Sequence, residues 1–301
     1  MKLVVSPSPH IYVKNSTTTV MLDVLISLAP CLLAAVIIFG FRALLLTLVC
    51  TAACVFFEWC FEKMLGRENT IGDLSAAVTG VMLAFNLSVT VPLWQAVFGS
   101  FVAIVVVKQL FGGIGKNFAN PAITARIIML LSFSRTMTTW TMPDAVSGAT
   151  PLAYITAGEH VDLWKLFIGV HGGCIGETCT PALLLGLVYL LVRKVMTWEI
   201  PATYIGTVFI FAWIFGQDPV AHVLAGGLLF GAIFMATDYV TSPVSSKGKI
   251  VFGIGCGLIT ILIRVFGNYA EGTSFAILFM NILTPYIDRL TMNKPFGGAA
   301  S

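Results

Sequence analysis

The sequence predicts an all-α polytopic membrane protein, with about ten transmembrane helices forming two inverted five-helix repeats that contain broken or re-entrant helices. Of its 301 residues, 57% are hydrophobic and only 10% are charged, and the mean hydropathy is strongly positive. Soluble domains average about 25% charged residues. Apolar stretches that can cross the roughly 30 Å hydrocarbon core recur along the whole chain. This pattern favours one helical bundle over a soluble domain on a membrane anchor.

The apolar stretches define the individual spans. Each is long enough, or nearly so, to cross the membrane as a helix. The predicted spans are residues 20–39, 43–61, 74–91, 93–111, 121–134, 180–195, 200–216, 220–236, 250–266 and 272–288.

Basic residues predict the orientation of the bundle. Most Lys and Arg fall on one side of it, and the other side receives only Arg42, Arg135, Lys165 and Arg264. By the positive-inside rule, both termini are expected in the cytoplasm and the loop around Thr150 on the outer face. This requires residues 163–179 to enter and leave on the same side. The predicted divisions are a cytoplasmic segment 1–19, a first repeat 20–134, an outer loop 135–162, a second repeat with the re-entrant segment 163–288, and a cytoplasmic tail 289–301.

An internal repeat supports the inverted arrangement. Residues 80–92 and 231–243 both begin with Gly and end with Pro at the same spacing, about half a chain apart. An odd number of helices in each half inverts the second half relative to the first. Chance similarity between apolar segments is the alternative explanation.

Two glycine-rich breaks share a pattern. Residues 112–122 and 172–182 each open with Gly-Gly and close with Pro-Ala. Proline in a first helical turn indicates a helix start, whose free N–H groups suit a phosphate or a flavin carbonyl. The polar residues Asn117, Asn120, Glu177 and Thr178 lie in these breaks and are candidate flavin ligands. A glycine-rich helix crossing is the alternative.

Four ionisable residues lie within or at the ends of the predicted spans. Asp23, Glu58 and Asp238 are candidates for an ion pathway, because charged groups in a membrane are costly and often functional. Arg126 lies a little over one turn after Pro121 and could reach a flavin phosphate or ring. The alternative for the acidic residues is placement at the membrane interface. Arg126 could equally be a charge that sets the orientation from the inner side. The seven cysteines include no Cys-x-x-Cys pair, so no metal or iron–sulfur site is predicted within this chain, and a cluster shared with another subunit stays open.

A short polar loop carries the most specific motif. Residues 144–150 read Asp-x-x-Ser-Gly-Ala-Thr. This resembles the acceptor sequence at which a flavin transferase esterifies threonine with flavin mononucleotide (FMN) in membrane redox pumps. With the two breaks and residues 236–243, the motif makes nearly the whole chain resemble the D subunits of the Rnf ion-translocating electron-transport complexes. The chain is also similar to the B subunits of the sodium-pumping NADH:quinone reductases.

The resemblance implies a function and a set of partners. Rnf complexes pass electrons between ferredoxin and NAD and export Na⁺ or H⁺. The D subunit would carry FMN on Thr150 through a phosphoester, and riboflavin can be held non-covalently in this family. The expected partners are the A, B, C, E and G subunits, with G closest, together with a flavin transferase and membrane lipid; nucleic acid is not expected. Asp144, Ser147, Gly148 and Ala149 would shape the loop for modification. A secondary transporter or channel without a redox role remains the alternative.

Overall fold

The computed structural model describes residues 16–141, 147–148, 150–156, 161–267 and 272–292. Within these ranges the chain is almost entirely helical. One short antiparallel ladder pairs β1 (Trp140–Thr141) with β2 (Ser147–Gly148). The predicted helical fold class is therefore confirmed.

Three helices are long and apolar enough to cross a membrane: α1 (Thr17–Phe39), α2 (Phe41–Leu65) and α13 (Ser246–Phe266). Helix α1 starts in a capping box, where the Ser16 hydroxyl accepts from the Thr19 N–H at 3.2 Å and the Thr19 hydroxyl accepts from the Ser16 N–H at 2.9 Å. Gly40 separates α1 from α2 with φ = 77°, a conformation that glycine adopts without a steric penalty. The two helices therefore form a tight hairpin.

The remaining helices are shorter. Most of them are also apolar, and two continue as π-helical turns with i→i+5 hydrogen bonds. They are α3 (Ser75–Phe85), α4 (Leu93–Phe101, continued by the π-helix Val102–Gln109), α5 (Pro121–Ser132), α6 (Ser134–Met137), α7 (Pro151–Thr156), α8 (Leu163–Ile168), α9 (Thr180–Val192), α10 (Glu199–Ile214), α11 (Pro219–Leu224), α12 (Leu228–Phe230, continued by the π-helix Gly231–Met235) and α14 (Thr273–Thr291).

Two predicted spans are not single helices. The span predicted at 74–91 ends as a helix at Phe85, because the Asn86 side chain bonds to the Met82 carbonyl and the chain then runs irregularly to Pro92. The span predicted at 220–236 is interrupted between α11 and α12, where Gly226 and Gly227 have φ of 68° and 66°. Both segments enter the bundle as partial helices, and their ends leave backbone groups for other partners. The segment 163–179, predicted not to span, holds the six-residue α8 followed by irregular chain, too short a helix to cross a bilayer.

Close helix packing positions these breaks. Helix α2 packs on α3 and α4, α10 packs on α13, and α1 packs on α9. Small residues allow this proximity, since a Cβ atom at Gly80 would lie only 2.6 Å from the Thr51 Cα. Large apolar side chains remain exposed on the outer faces of the bundle, as expected for surfaces that contact lipid or partner subunits. Examples include Leu33, Ile37, Leu48, Leu185, Val192 and Trp213.

Candidate functional site

Thr150 immediately precedes helix α7. Its carbonyl accepts hydrogen bonds from the N–H groups of Ala153 at 2.9 Å and Tyr154 at 3.4 Å, and its Oγ1 accepts from the Ala153 N–H at 3.4 Å. Only 8% of the residue is exposed. Asp144 and Ala149 lie outside the described residues, and Ser147 and Gly148 are described only as the backbone of β2. The predicted acceptor threonine therefore sits where a short extended segment turns into a helix.

Helix α7 docks on the second half of the chain. Leu152 and Ile155 form a small apolar cluster with Leu166 of α8 and with Ala221 and Ala225, which are in and just after α11. A Cβ atom at the neighbouring Gly226 would overlap the Leu152 side chain. The Thr150 segment is thus held against the interruption between α11 and α12 by a few apolar contacts.

The breaks after α3 and before α9 meet at Arg126. Its Nη1 donates to the Asn86 Oδ1 at 2.9 Å and its Nη2 contacts the Cys174 Sγ at 3.3 Å. The backbone joins the same two segments, since Ile175 N–H donates to the Leu87 carbonyl at 3.1 Å and Gly176 N–H donates to the Phe85 carbonyl at 2.8 Å. These bonds satisfy groups that the ended helix leaves free.

Glu177 lies behind this junction. Its Oε1 accepts from the Cys174 N–H at 2.7 Å, and its Oε2 is buried with no hydrogen-bond partner among the described residues. A Cβ atom would come within 2.5 Å of Oε1 at Gly173 and within 2.6 Å of Oε2 at Gly227, so both glycines make room for the carboxylate. The next residue, Thr178, is also buried.

A buried arginine supports the interruption between α11 and α12. Arg264 of α13 is 1% exposed and donates to the carbonyls of His222 at 2.5 Å, Ala225 at 3.0 Å and Gly226 at 3.1 Å. Three carbonyls left by the end of α11 are satisfied in this way. The carboxylate of Glu177 and the guanidinium of Arg264 flank the same Gly226–Gly227 turn.

A separate cleft contains the other predicted ligands. Its empty volume is about 850 Å³ with its open mouth included, and Asn117, Asn120 and Asp238 all line it. The Asn120 Oδ1 caps α5 by accepting from the Ala122 and Ile123 N–H groups, and its Nδ2 donates to the Met235 carbonyl at 3.2 Å. The cleft wall is otherwise largely apolar.

The predicted flavin ligands therefore divide into two groups. Arg126 and Glu177 lie at the junction of the breaks, whereas Asn117 and Asn120 line the cleft. Met235 connects the groups, because its carbonyl contacts Asn120 and its sulfur lies 3.4 Å from the Asn86 Nδ2.

The three predicted ion-pathway residues have different surroundings. Asp23 accepts from Tyr189 at 2.9 Å and pairs with the half-exposed Arg193 at 3.1 Å, which joins α1 to α9. Asp238 lies in the break after the π-helix Gly231–Met235, where its Oδ2 accepts a hydrogen bond from the Thr241 hydroxyl at 3.0 Å. Glu58 of α2 is fully buried and forms an ion pair with Lys108 at 2.7 Å.

Comparison with known proteins defines the family. A sequence model of the family described as NQR2, RnfD, RnfE matches residues 4–297. The chain belongs to this family. The predicted resemblance is thereby confirmed over nearly the full length of the chain.

Relatives extend along the whole chain. The D subunit of the Na⁺-translocating ferredoxin:NAD⁺ oxidoreductase complex of Acetobacterium woodii is 47% identical over 305 residues, which cover 99% of this chain and 96% of the relative. The D subunit of the proton-translocating complex of Clostridium ljungdahlii is 40% identical, with 97% of this chain and 96% of the relative covered. The D subunit of an ion-translocating oxidoreductase complex of Escherichia coli is 30% identical, with 97% and 98% covered. Membership of this family, together with the several apolar helices, makes the chain a multi-pass membrane protein.

Sequence reasoning missed the partners of the polar residues. Lys108 lies 50 residues from Glu58, and Cys174 lies 48 residues from Arg126, so no local spacing indicates either contact. The predicted orientation counts Arg264 as an outer-side charge, and the sequence does not indicate that its side chain is buried against the end of α11. Its position among apolar residues in the last turn of α13 was the one available signal.

Proposed function

We propose that this chain is the flavin-carrying D subunit of an Rnf-type complex, an ion-translocating oxidoreductase. In this role it relays electrons between ferredoxin and NAD and couples their transfer to export of Na⁺ or H⁺. The single observation that carries the proposal is the family match over residues 4–297, which includes relatives named as the D subunits of such complexes. A transporter or channel without a redox role has no such support.

Thr150 is the proposed attachment point of FMN. The residue suits a phosphoester because, among the described residues, its hydroxyl makes only one long contact, the 3.4 Å bond from the Ala153 N–H. Its neighbours along the chain, Ser147, Gly148, Ala149 and Ala153, are all small residues, as the approach of a transferase and a flavin phosphate to this threonine would require. The flavin supplies the electron-carrying ring, and the chain supplies its position and polarity. Asp144 and Ser147 would orient the loop through local hydrogen bonds.

The cleft is the proposed site of a second, non-covalent flavin. Its walls are mostly apolar, and Asn117 and Asn120 add amide groups that could bond to ring carbonyls. Among the described lining residues, Lys108 is the one cation, and Glu58 already neutralises it. A phosphate would therefore lack a free counter-charge, which favours riboflavin over FMN at this position. Arg126, Glu177 and Thr178 would line the route between the cleft and Thr150.

The helix arrangement supports the proposed inverted repeats. In each half a helix ends at an equivalent place, α3 at Phe85 and the π-helix after α12 at Met235. In each half the second long helix packs on the helix that follows the break, α2 on α4 and α10 on α13. We extend this to about ten spans with both termini in the cytoplasm of a bacterial or archaeal cell. The exposed apolar faces would contact lipid and the A, B, C, E and G subunits, with G nearest to Thr150.

Asp23, Glu58 and Asp238 remain the proposed ion-pathway residues. The fully buried Glu58 is the most costly of the three to keep charged, and Asp23 is the best neutralised by an accessible partner. Because their surroundings differ, we expect the three residues to contribute separately to ion coupling.

In-gel fluorescence tests the proposal. The protein is co-expressed with a flavin transferase, denatured, separated on a gel and viewed under ultraviolet light. Wild type and Thr138→Ala, which removes an exposed hydroxyl twelve positions before Thr150, should fluoresce, whereas Thr150→Ala should be dark. A dark wild-type band, or a fluorescent Thr150→Ala band, would contradict covalent attachment at this residue.

A further inference from the structure

Glu58 and Lys108 form the most completely buried ion pair among the described residues. The side chains are 0% and 4% exposed, and the Lys108 Nζ lies 2.7 Å from the Glu58 Oε1. Gln109 Nε2 donates to the same oxygen at 2.8 Å. Adjacent residues of an α-helix point about 100° apart and do not share a partner. The π-helical turn Val102–Gln109 changes this geometry, and such turns occur frequently at functional sites.

The second carboxylate oxygen of Glu58 has no hydrogen-bond partner within the part of the chain that the structure describes. Glu58 Oε2 is buried and accepts no hydrogen bond from any described residue. Thr70 Oγ1 contacts the other oxygen, Glu58 Oε1, at 3.4 Å and also bonds to Glu62, so Oε2 alone is left unused. A fully buried carboxylate with an unused oxygen is well suited to a small cation, because oxygen ligands and negative charge are already in place.

Lys108 also faces the cleft. Its Nζ donates to the Ser75 Oγ at 2.6 Å, and both Lys108 and Ser75 line the cleft. Ser75 in turn donates to the Asp73 Oδ1 at 2.5 Å. The ammonium group therefore lies between Glu58 on one side and the cleft on the other. A small rotation of a flexible lysine could shift its charge from one side to the other.

We propose that Lys108 is an exchangeable counter-ion that links the charge in the cleft to a cation site at Glu58. A flavin held in the cleft would, when reduced with electrons supplied through the complex, place negative charge there, and Lys108 would turn its ammonium group toward that charge. Glu58 would then lose its counter-charge and bind one Na⁺ or one proton. Once the flavin's negative charge is removed by reoxidation, Lys108 would return to Glu58 and the cation would be released. This mechanism rests on the proposed function, because it needs a redox ligand in the cleft.

Charge balance makes the exchange obligatory in this site. An unpaired buried carboxylate is strongly destabilising, so departure of Lys108 must be followed by arrival of another cation. Glu62 and Asp73 on the flanking segments have the same sign as Glu58 and increase that requirement. Arg67 is the nearby cation, but its Nη1 donates to the main-chain carbonyl of Gln109 at 3.2 Å.

Cation binding to the whole complex tests the exchange directly. The affinity for ²²Na⁺ is measured in the oxidised complex and after reduction with dithionite, and proton uptake is followed in parallel with a pH-indicator dye. If the cation is Na⁺, we expect reduction to increase the affinity for Na⁺ by roughly 5- to 150-fold, the usual range for coupled sites. If the cation is a proton, we expect reduction to cause proton uptake instead. Glu58→Gln should abolish the change. Equal cation affinity in both redox states of the wild type would overturn the proposal.

A variant of the full-length protein provides a second test that needs no flavin. Lys108→Met leaves Glu58 without its counter-ion in every redox state. If the site binds Na⁺, the thermal midpoint of Lys108→Met should be about 3 °C or more higher in about 100 mM NaCl than in the same concentration of choline chloride. If the site binds a proton, lowering the pH should raise the midpoint by the same amount instead. Wild type and the double variant Glu58→Gln/Lys108→Met should show no such rise. If Lys108→Met responds like wild type to both Na⁺ and pH, the inference is wrong even where the Thr150 band fluoresces.

Discussion

The Thr150 segment and the Glu58–Lys108 pair are built in opposite ways. The first is a short helix docked by a few apolar contacts, and its distinguishing feature is a local run of small and polar residues. The second is a set of charged groups drawn from α2 and the π-helix after α4, almost without exposure to solvent. A covalent modification is directed by the residue types next to its acceptor, whereas ion coupling needs control of charge in a low-dielectric interior. The same chain meets the two requirements in separate places.

Breaking the buried pair should give the largest effect on stability. Glu58→Leu leaves the Lys108 ammonium without its carboxylate, and we expect a loss of about 3 kcal/mol, the low end for buried pairs because Lys108 can still reach the cleft. Thermal unfolding in detergent measures the loss. The double variant Glu58→Leu/Lys108→Met should recover most of it, since no charge is then left unpaired. A double variant as unstable as the single one would show that packing rather than charge dominates.

Disturbing the docking of the Thr150 segment should cost less. Gly226→Ala places a Cβ against Leu152 and requires φ near 68° for alanine, so we expect a loss of about 2 kcal/mol, concentrated locally. Hydrogen exchange at the Ala153 amide should accelerate. Gly206→Ala is the matched control, because nothing lies within 4 Å of its Cβ position in α10, and alanine favours a helix. Unchanged exchange at Ala153 would show that Gly226 does not hold the segment.

An accessible ion pair sharpens the contrast with the buried one. The Arg193 side chain is 54% exposed, and Asp23→Asn should therefore cost under about 1 kcal/mol, with a salt dependence that the Glu58 variants lack. Thermal unfolding at low and high salt measures both effects. A loss as large as that of Glu58→Leu would mean that exposure does not separate the two pairs.

Several features could be predicted from sequence because they are local. Composition and apolar runs indicated a helical membrane protein, and Pro121 and Pro181 marked the starts of α5 and α9 after glycine-rich breaks. The motif at residues 144–150 pointed to the family that the comparisons confirm. Each signal is contained in a short stretch of chain, where residue type determines backbone conformation directly.

Other features depend on contacts between distant residues. The helix predicted to run through 74–91 ends early because Asn86 finds partners on Arg126 and at Met235, which apolar periodicity cannot reveal. The grouping of Asn117 and Asn120 in the cleft, apart from Glu177, likewise depends on which break packs where. Polar residues in a membrane must be satisfied within the protein, but their spacing does not identify the partner.

The joining of the two breaks through their main chains has a consequence for sequence divergence. Because Ile175 and Gly176 bond to the Leu87 and Phe85 carbonyls through N–H groups, the connection does not depend on side-chain identity at positions 87 and 175. Both side chains are nevertheless buried in the core, so replacements at these positions must keep the apolar volume. Gly176 is more tightly constrained, since any larger residue would overlap the Phe85 ring. The main-chain link between the two halves of the protein therefore tolerates exchange between apolar residues of similar size, but no enlargement at position 176.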